Sequence, residues 1–459
     1  MSQFSDPDSS STSDLILLAI GDVHLGIRPS SLPANFDNFG VKRRAITPEC
    51  ALESAVDYAI RARVDAVLFA GDVVESKNAL FEAFRPLELA VRQLIEANIP
   101  VLGVAGNHDF EALPRLARRI DRFELLGVDG SWQSRVIHKA GRPAAEIVGW
   151  SFPEKQVRSS PVADLIRDPL AAGHSGVPRI GLLHGDLDGS GGHYAPFTSS
   201  ELSQTGLDAW LLGHIHKPSL PEGTSSGGAG PRGYLGSLVG LDPGEMGQHG
   251  PWLVRVTAAG DVVPQHLPMA PLRWDRFDIR VDPDQGPEEM GDRLLDEAAR
   301  FARKIQSQGS TPQVLGLRPR LVGPSRHYDA LRDHTEKGHW KAISRRVGDT
   351  LVFIDKVLED LDLALDLEDL AHGDDPPALL ARKLLALKRP GDERSALLKE
   401  ARSRLGGLVG ESRWSVLKEQ RDAQDPLSDE ALSALLTRCG TAALSRLLPQ
   451  VDRGARPGS

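Results

Sequence analysis

Five short clusters of Asp, His and Asn carry the chemistry that can be read in this 459-residue chain. They are Asp22-Val23-His24, Gly71-Asp72, Gly106-Asn107-His108-Asp109, His184-Gly185-Asp186 and Gly213-His214-Ile215-His216. The side chains mix carboxylate, carboxamide and imidazole and include no thiolate. Such a set suits Mn²⁺, Fe or Zn²⁺ rather than soft metals, and affinity order alone does not choose among them. In an extended segment, alternate side chains share one side, so the D-x-H and H-x-H spacings let both members of each pair face one centre. Asp72 is the lone carboxylate of its cluster and is the natural bridge if two ions sit roughly 3.5–4 Å apart. A glycine precedes the ligand in four clusters (Gly21, Gly71, Gly106 and Gly213), where it permits sharp turning and close backbone approach.

The clusters follow short apolar runs. LILLAI leads into GDVHLG, AVLFA into GDVVE, PVLGVA into GNHD, RIGLL into HGD and AWLLG into HIH. Helical stretches such as 51–63 and 81–97 lie between them. The alternation predicts an α/β layered domain whose site lies on loops beyond the strand ends.

The five clusters, in this order over residues 15–218, resemble the motifs of the calcineurin-like metallophosphoesterase superfamily. The resemblance implies a four-layer α/β/β/α domain and a centre of two divalent ions, with Mn²⁺ expected and Fe or Zn²⁺ as alternatives. One ion would be held by Asp22, His24, Asp72 and His216, the other by Asp72, Asn107, His184 and His214. His108 would contact the phosphate or protonate the leaving oxygen, oriented by Asp109. HGDLDGSGGHYAPF, YLGSLVGLDPGEMGQHGPWLV and the region that follows are similar to the bacterial DNA-repair exonucleases of the SbcD and YhaO type, although SLVGLDP is less polar than that branch's usual sequence before GEMG. This resemblance implies DNA and an SbcC-like ATPase as partners, and a homodimer is compatible with it.

Beyond residue 272 the pattern changes. WDRFDIRVD and QVLGLRPRLVG read as strands, with Pro319 placing the second at a sheet edge. Residues 290–305 read as a helix. From about Leu351 the chain reads as helical, because Ile354, Val357, Leu358, Leu361 and Leu365 recur at three- and four-residue steps. Two later helices are expected over 378–387 and 429–448, the latter capped by Ser428. The resulting division is a tail over 1–14, a phosphoesterase domain over 15–272 and a small α+β capping domain over 273–348 that could contact DNA. A helical region over 349–451, able to dock a partner, and a tail over 452–459 complete it.

Net charge is −9, which disfavours coating nucleic acid by bulk charge but leaves a local basic groove open. Two distant cysteines, Cys50 and Cys439, suit a reducing compartment. The polar N-terminus lacks a signal-peptide pattern, and no run is long enough for a membrane span, so the expectation is a soluble cytoplasmic protein. Asp186 and Asp188 read as turn residues or as orienters of the ligands. His193 either lines the cleft or packs at the surface. Arg318, Arg320, Arg326, Arg345 and Arg346 either face DNA or form a solvated face. The functional reading is a Mn²⁺-dependent DNA exonuclease acting in repair. The alternatives are a phosphodiesterase or phosphatase on a small molecule, nucleotide or phosphoprotein, and a non-catalytic scaffold for DNA ends.

Overall fold

The computed structural model describes residues 14–33, 36–75, 82–168, 170, 176–189, 192–223, 230–341, 343–364, 366–409 and 427–454. Of the expected tails, residues 1–13 and 455–459 lie outside the described residues, as do the Gly/Ser-rich residues 224–229 and His174. Asp14 is buried and residues 452–454 end a helix, which corrects the inner bounds of both tails. Interactions divide the chain into two units. The first comprises 1–276, 298–318 and 342–355; the second comprises 277–297, 319–341 and 356–459.

The first unit is built on two sheets. In one, β1 (Leu15–Ile20), β2 (Ala66–Ala70), β3 (Val101–Val104) and β4 (Phe123–Leu125) run parallel. The other contains β5 (Gln133–Lys139), β6 (Arg142–Trp150), β7 (Arg179–His184), β8 (Ala209–Gly213) and β9 (Arg232–Tyr234), parallel from β6 onward. β10 (Trp252–Val256) pairs antiparallel with β1, and β11 (Val262–His266) pairs with β10, extending the first sheet.

Alternation along each strand sets the layers, although every residue of β1 is buried. Leu15, Leu17 and Ala19 meet Ile147, Ile180, Leu182 and Leu211 in the core between the sheets. Ile16, Leu18 and Ile20 face the other way, into a core with α1 (Pro48–Ala62), α2 (Phe84–Glu96) and α3 (Ala112–Ala117). The far face of the second sheet packs Val148, Leu183, Trp210 and Leu212 with α4 (Pro161–Arg167) and α5 (Ser199–Gln204). These four layers bury both faces of each sheet, the usual requirement of parallel strands, and match the expected α/β/β/α fold.

Beyond residue 271, three apolar runs each break into two strands. β12 (Leu272–Asp275), β14 (Val314–Leu317) and β17 (Thr350–Ile354) pair in parallel, with β16 (Ser344–Val347) on the edge beside β17. The second halves, β13 (Asp278–Arg280), β15 (Arg320–Ser325) and β18 (Leu358–Leu363), form a separate parallel sheet. Two expectations are corrected here. Pro319 lies between β14 and β15 instead of within an edge strand, and β15 is the central strand of its sheet. Residues 350–363 form two strands, not a helix. The continuous run TLVFI is fully buried, rich in β-branched and aromatic residues and paired on both sides, and Leu358–Leu363 pairs with β15, which overrides the helical spacing of Ile354, Val357, Leu358 and Leu361.

The helix expected over 290–305 is present as α6 (Pro287–Ser307), and α7 (Tyr328–Glu336) follows. Regular helical structure beyond the strands begins at α8 (Leu367–Leu370). The expected helices appear as α9 (Pro376–Lys388) and α11 (Asp429–Gly454), and Ser428 accepts the N–H of Ala431 as its cap should. Between them lies α10 (Asp392–Val409), which is not among the helices expected from the sequence. Asp392 and Glu393 there form an acidic first turn, which favours a helix N-terminus. Leu384, Leu387, Leu398, Ala401, Leu432 and Leu444 give α9–α11 a core of their own. No described helix is long and apolar enough to cross a membrane.

Candidate metal centre

The ligand candidates converge because β1, β2 and β3 end together on one sheet and β7 and β8 end together on the other. Asp22 and His24 follow β1, Asp72 follows β2, Asn107 and His108 follow β3, His184 ends β7, and His214 and His216 follow β8. The two sets of strand ends approach closely. A Cβ on Gly213 would fall 2.0 Å from the Ala70 carbonyl oxygen, and one on Gly71 would fall 2.6 Å from the His184 ring. Only glycine fits at either position.

The loops do not continue the strands. His24, Asp72 and His214 all have positive φ, at 55°, 47° and 106°. This corrects the extended geometry expected of the D-x-H and H-x-H pairs. Non-glycine residues adopt such backbone rarely and cluster this way at functional sites. Hydrogen bonds hold them there. The N–H groups of Val23 and His24 both donate to the Asp72 carbonyl at 3.0 Å, and His214 N–H donates to the Asp22 carboxylate at 3.1 Å.

Around these turns the donor atoms face one another. His24 Nε2 and His216 Nε2 are 3.0 Å apart. His184 Nε2 lies 3.0 Å from Asn107 Oδ1 and 3.3 Å from Asp72 Oδ2. The same Asp72 oxygen is 3.9 Å from His24 Nε2, so it stands between the two imidazole groups. Donors bound about 2.0–2.2 Å from a shared ion lie roughly 3.0–3.5 Å apart, so these separations fit divalent ions. Asp22, His24 and His216 form one ligand group of suitable geometry, and Asp22, Asp72 and His184 form another. His214 stacks edge-on against His184 with ring centroids 5.1 Å apart, and its Nε2 is 3.6 Å from Asp186.

The electrostatics point the same way. Asp22, Asp72 and His184 are buried, and among the described residues no Lys or Arg forms an ion pair with either carboxylate. Burial pushes Asp22 up to about 6. Burial would also raise Asp72, but His184 beside it holds it below the usual carboxylate range. His184 is pulled down by burial, yet Asp72 and Asp22 outweigh this and lift it to about 9. Burial, only partly offset by Asp72, lowers His24 to about 4. Two buried carboxylates whose neighbours are imidazoles suit a bound cation better than scattered protons. His24 Nδ1 is also buried without a hydrogen-bond partner.

The orientation expected of His108 is corrected. Asp109 is fully buried and faces backbone, accepting N–H groups from Gly106 at 2.7 Å, Val73 at 2.7 Å and Val74 at 3.3 Å. His108 Nδ1 instead meets Glu75 Oε2 at 3.0 Å. Burial and the nearby Asp72 raise Asp109 to about 7. Glu75 and Glu245, the latter 2.7 Å from His216 Nδ1, were not legible as site residues. The available signal was a carboxylate three residues after Asp72, and another in the GEMG segment.

The remaining candidates separate. Asp188 accepts from Ser199 N–H and Oγ, tying its loop to the start of α5 instead of closing a local turn. His193 is exposed. Arg318, Arg320 and Arg326 are engaged by Asp355, Asp278 and Asp284, and Arg346 donates to the Phe39 carbonyl.

Residues 15–218 match the family model for calcineurin-like phosphoesterases. That stretch is a calcineurin-like phosphoesterase domain. The superfamily consists of phosphoester hydrolases that use divalent metals, and this domain presents its candidate ligands at the strand ends described above. The chain is 29% identical over 274 residues to the uncharacterized metallophosphoesterase YhaO of Bacillus subtilis, covering 57% of this chain and 64% of that protein. It is 28% identical over 214 residues to the DNA double-strand break repair protein Mre11 of Aeropyrum pernix, covering 44% and 49%. The alignments therefore span less than two thirds of these curated relatives. A dimetal phosphatase from Danio rerio aligns at 14% identity and a TM-score of 0.34, covering 55% of this chain and 98% of that one.

Proposed function

We propose that the chain is a metal-dependent DNA nuclease of the exonuclease kind, acting in repair with an SbcC-like ATPase. The observation that carries the hydrolytic part is the Asp72 carboxylate standing between His24 and His184. In this reading Asp22, His24, Asp72 and His216 hold one divalent ion, and Asp72, Asn107, His184 and His214 hold the other. Mn²⁺ is the preferred metal. When bound, such a pair of ions activates water and stabilises the attacking and leaving oxygens of phosphoryl transfer. Imidazoles turned by their second nitrogen present the first to the ions. The His184 Nδ1–H, for example, donates to the Ala70 carbonyl at 3.1 Å and leaves Nε2 facing Asp72 and Asn107. His108, half exposed beside His24, is placed to reach the phosphate or leaving oxygen, and Glu75 sets its ring.

DNA as substrate is supported by the repair role printed in the name of the Aeropyrum relative and by the sequence beyond the phosphoesterase domain. Residues 273–348 are the proposed DNA-contacting region, and residues 349–451 the region that docks the ATPase. The negative total charge requires that phosphate contacts be concentrated locally.

The deciding experiment offers defined DNA ends and a chromogenic phosphodiester to the full chain with Mn²⁺, Mg²⁺ or Zn²⁺. Metal-dependent shortening of DNA is expected, with binding that weakens steeply as salt rises. Diester hydrolysis without DNA cleavage identifies a small-molecule phosphodiesterase, and tight metal binding without turnover identifies a scaffold.

A further inference from the structure

His216 is held from behind by a carboxylate on a different segment. Its Nδ1 donates to Glu245 Oε1 at 2.7 Å, which turns Nε2 toward His24 and Asp22. The other oxygen of Glu245 is also fixed, accepting Leu241 N–H at 2.9 Å. Ser237 Oγ stands 3.4 Å from that oxygen and 3.0 Å from Nδ1 of the buried His249, whose Nε2 lies 3.1 Å from the Glu245 carbonyl. The carboxylate therefore has little freedom to rotate.

Its segment is tied to the ligand loops and to the next sheet. Ser237 N–H donates to the His216 carbonyl at 2.9 Å, and Leu238 N–H donates to the Asp22 carbonyl at 2.8 Å. On the far side, the indole N–H of the buried Trp274, in β12, donates to the Gly240 carbonyl at 3.2 Å. Gly247 N–H returns a bond to the Trp274 carbonyl at 2.9 Å. Trp274 itself packs edge-on against Phe353 of β17.

We propose that Glu245 is a positioning residue of the metal centre, with residues 237–247 forming a clamp braced by Trp274. The inference rests on the reading that the cluster binds two divalent ions. A carboxylate behind a ligand imidazole fixes its tautomer and raises its basicity, and losing such a partner typically weakens metal binding about 10–100-fold. Glu245 braces His216, and Leu238 of the same clamp ties Asp22, a proposed ligand of the same ion, so loss of Glu245 should affect that ion more than the other. It also makes β12 part of the support for the centre, although every sequence cluster ends by His216.

The test is Mn²⁺ titration of the full chain by calorimetry, comparing wild type with Glu245→Ala and Glu245→Gln and recording the melting temperature of each apoprotein. Two binding events are expected in the wild type. Glu245→Ala should weaken one of them about 10–100-fold and leave the other near its wild-type value. Glu245→Gln retains an acceptor for Nδ1–H and should recover part of the loss. If Glu245→Ala does not fold, selective weakening of one site in Glu245→Gln carries the same support. Equal weakening of both sites, with a lower apoprotein melting temperature, makes Glu245 a general structural residue and overturns the proposal. Unchanged affinity at both sites in the folded variant also overturns it. A wild-type chain that takes up no Mn²⁺ refutes the metal reading itself, which is a distinct failure.

Discussion

Glu75 Oε2 lies 3.0 Å from His108 Nδ1, whereas Asp109, the next residue after His108, turns into the backbone behind it. The pairing gives His108 Nδ1 a carboxylate partner and fixes the plane of its ring. Replacing His108 by Ala should retain both metals while turnover falls about 10²–10⁴-fold, the usual contribution of an acid–base residue. Glu75→Gln should show a smaller loss, also without loss of metal. Metal analysis of each purified variant, set against its kcat, provides the check. Loss of an ion from His108→Ala makes His108 a ligand.

Asp72 Oδ2 stands between His184 and His24, and Asp72 Oδ1 accepts His108 N–H at 2.9 Å. An anionic carboxylate can bridge two cations in that position, and a neutral carboxamide does so poorly. Asp72→Asn is therefore expected to abolish hydrolysis and to retain at most one tightly held ion. Two tightly held ions per chain, measured by elemental analysis, would refute the bridge.

Asp109 is a stability residue in this geometry, because it accepts three buried N–H groups from two different ligand loops. Each buried donor left unpaired costs roughly 1–3 kcal/mol. Asp109→Ala should therefore lower the unfolding free energy of the metal-free protein by several times that of a surface substitution, on the order of 3 kcal/mol or more. Urea unfolding of the apoprotein measures it. A loss below about 0.5 kcal/mol, the range of ordinary surface changes, would show that these bonds contribute nothing net.

The ligand clusters were legible because each ends a short apolar strand, and parallel strands bring their C-terminal ends together whatever the intervening sequence. The orientation of individual side chains was not. Asp109 adjoins His108 in sequence but faces away from it, while Glu75 and Glu245 reach their imidazoles across 33 and 29 positions. Positive φ at His24 and His214 likewise has no signature in a D-x-H or H-x-H spacing. Residues 350–363 misled for a different reason. Leu358 and Leu361 fall at helical spacing from Ile354, yet TLVFI finds strand partners in β14 and β16, which local periodicity does not reveal.

The C-terminal helices yield the last prediction, and the strand pairing decides where the chain can be cut. A truncation ending near Gly348 would remove β17, which pairs with both β14 and β16 in the sheet that includes Trp274 of β12. Such a variant would damage the support of the metal centre and say nothing about partner docking. Ending the chain at residue 364 retains both β17 and β18 and removes α8–α11. Those helices share a core of leucines and need not borrow stability from the catalytic loops. We expect this truncation to keep metal-dependent cleavage of short DNA while losing co-purification with an SbcC-like ATPase. Amphipathic helices commonly supply such docking faces, and a lost face removes the coupling between sites without altering the chemistry at either. Retention of the ATPase by the soluble truncated chain would place docking elsewhere. An insoluble product would show that α8–α11 are needed for the fold of their own unit, where β18 also lies.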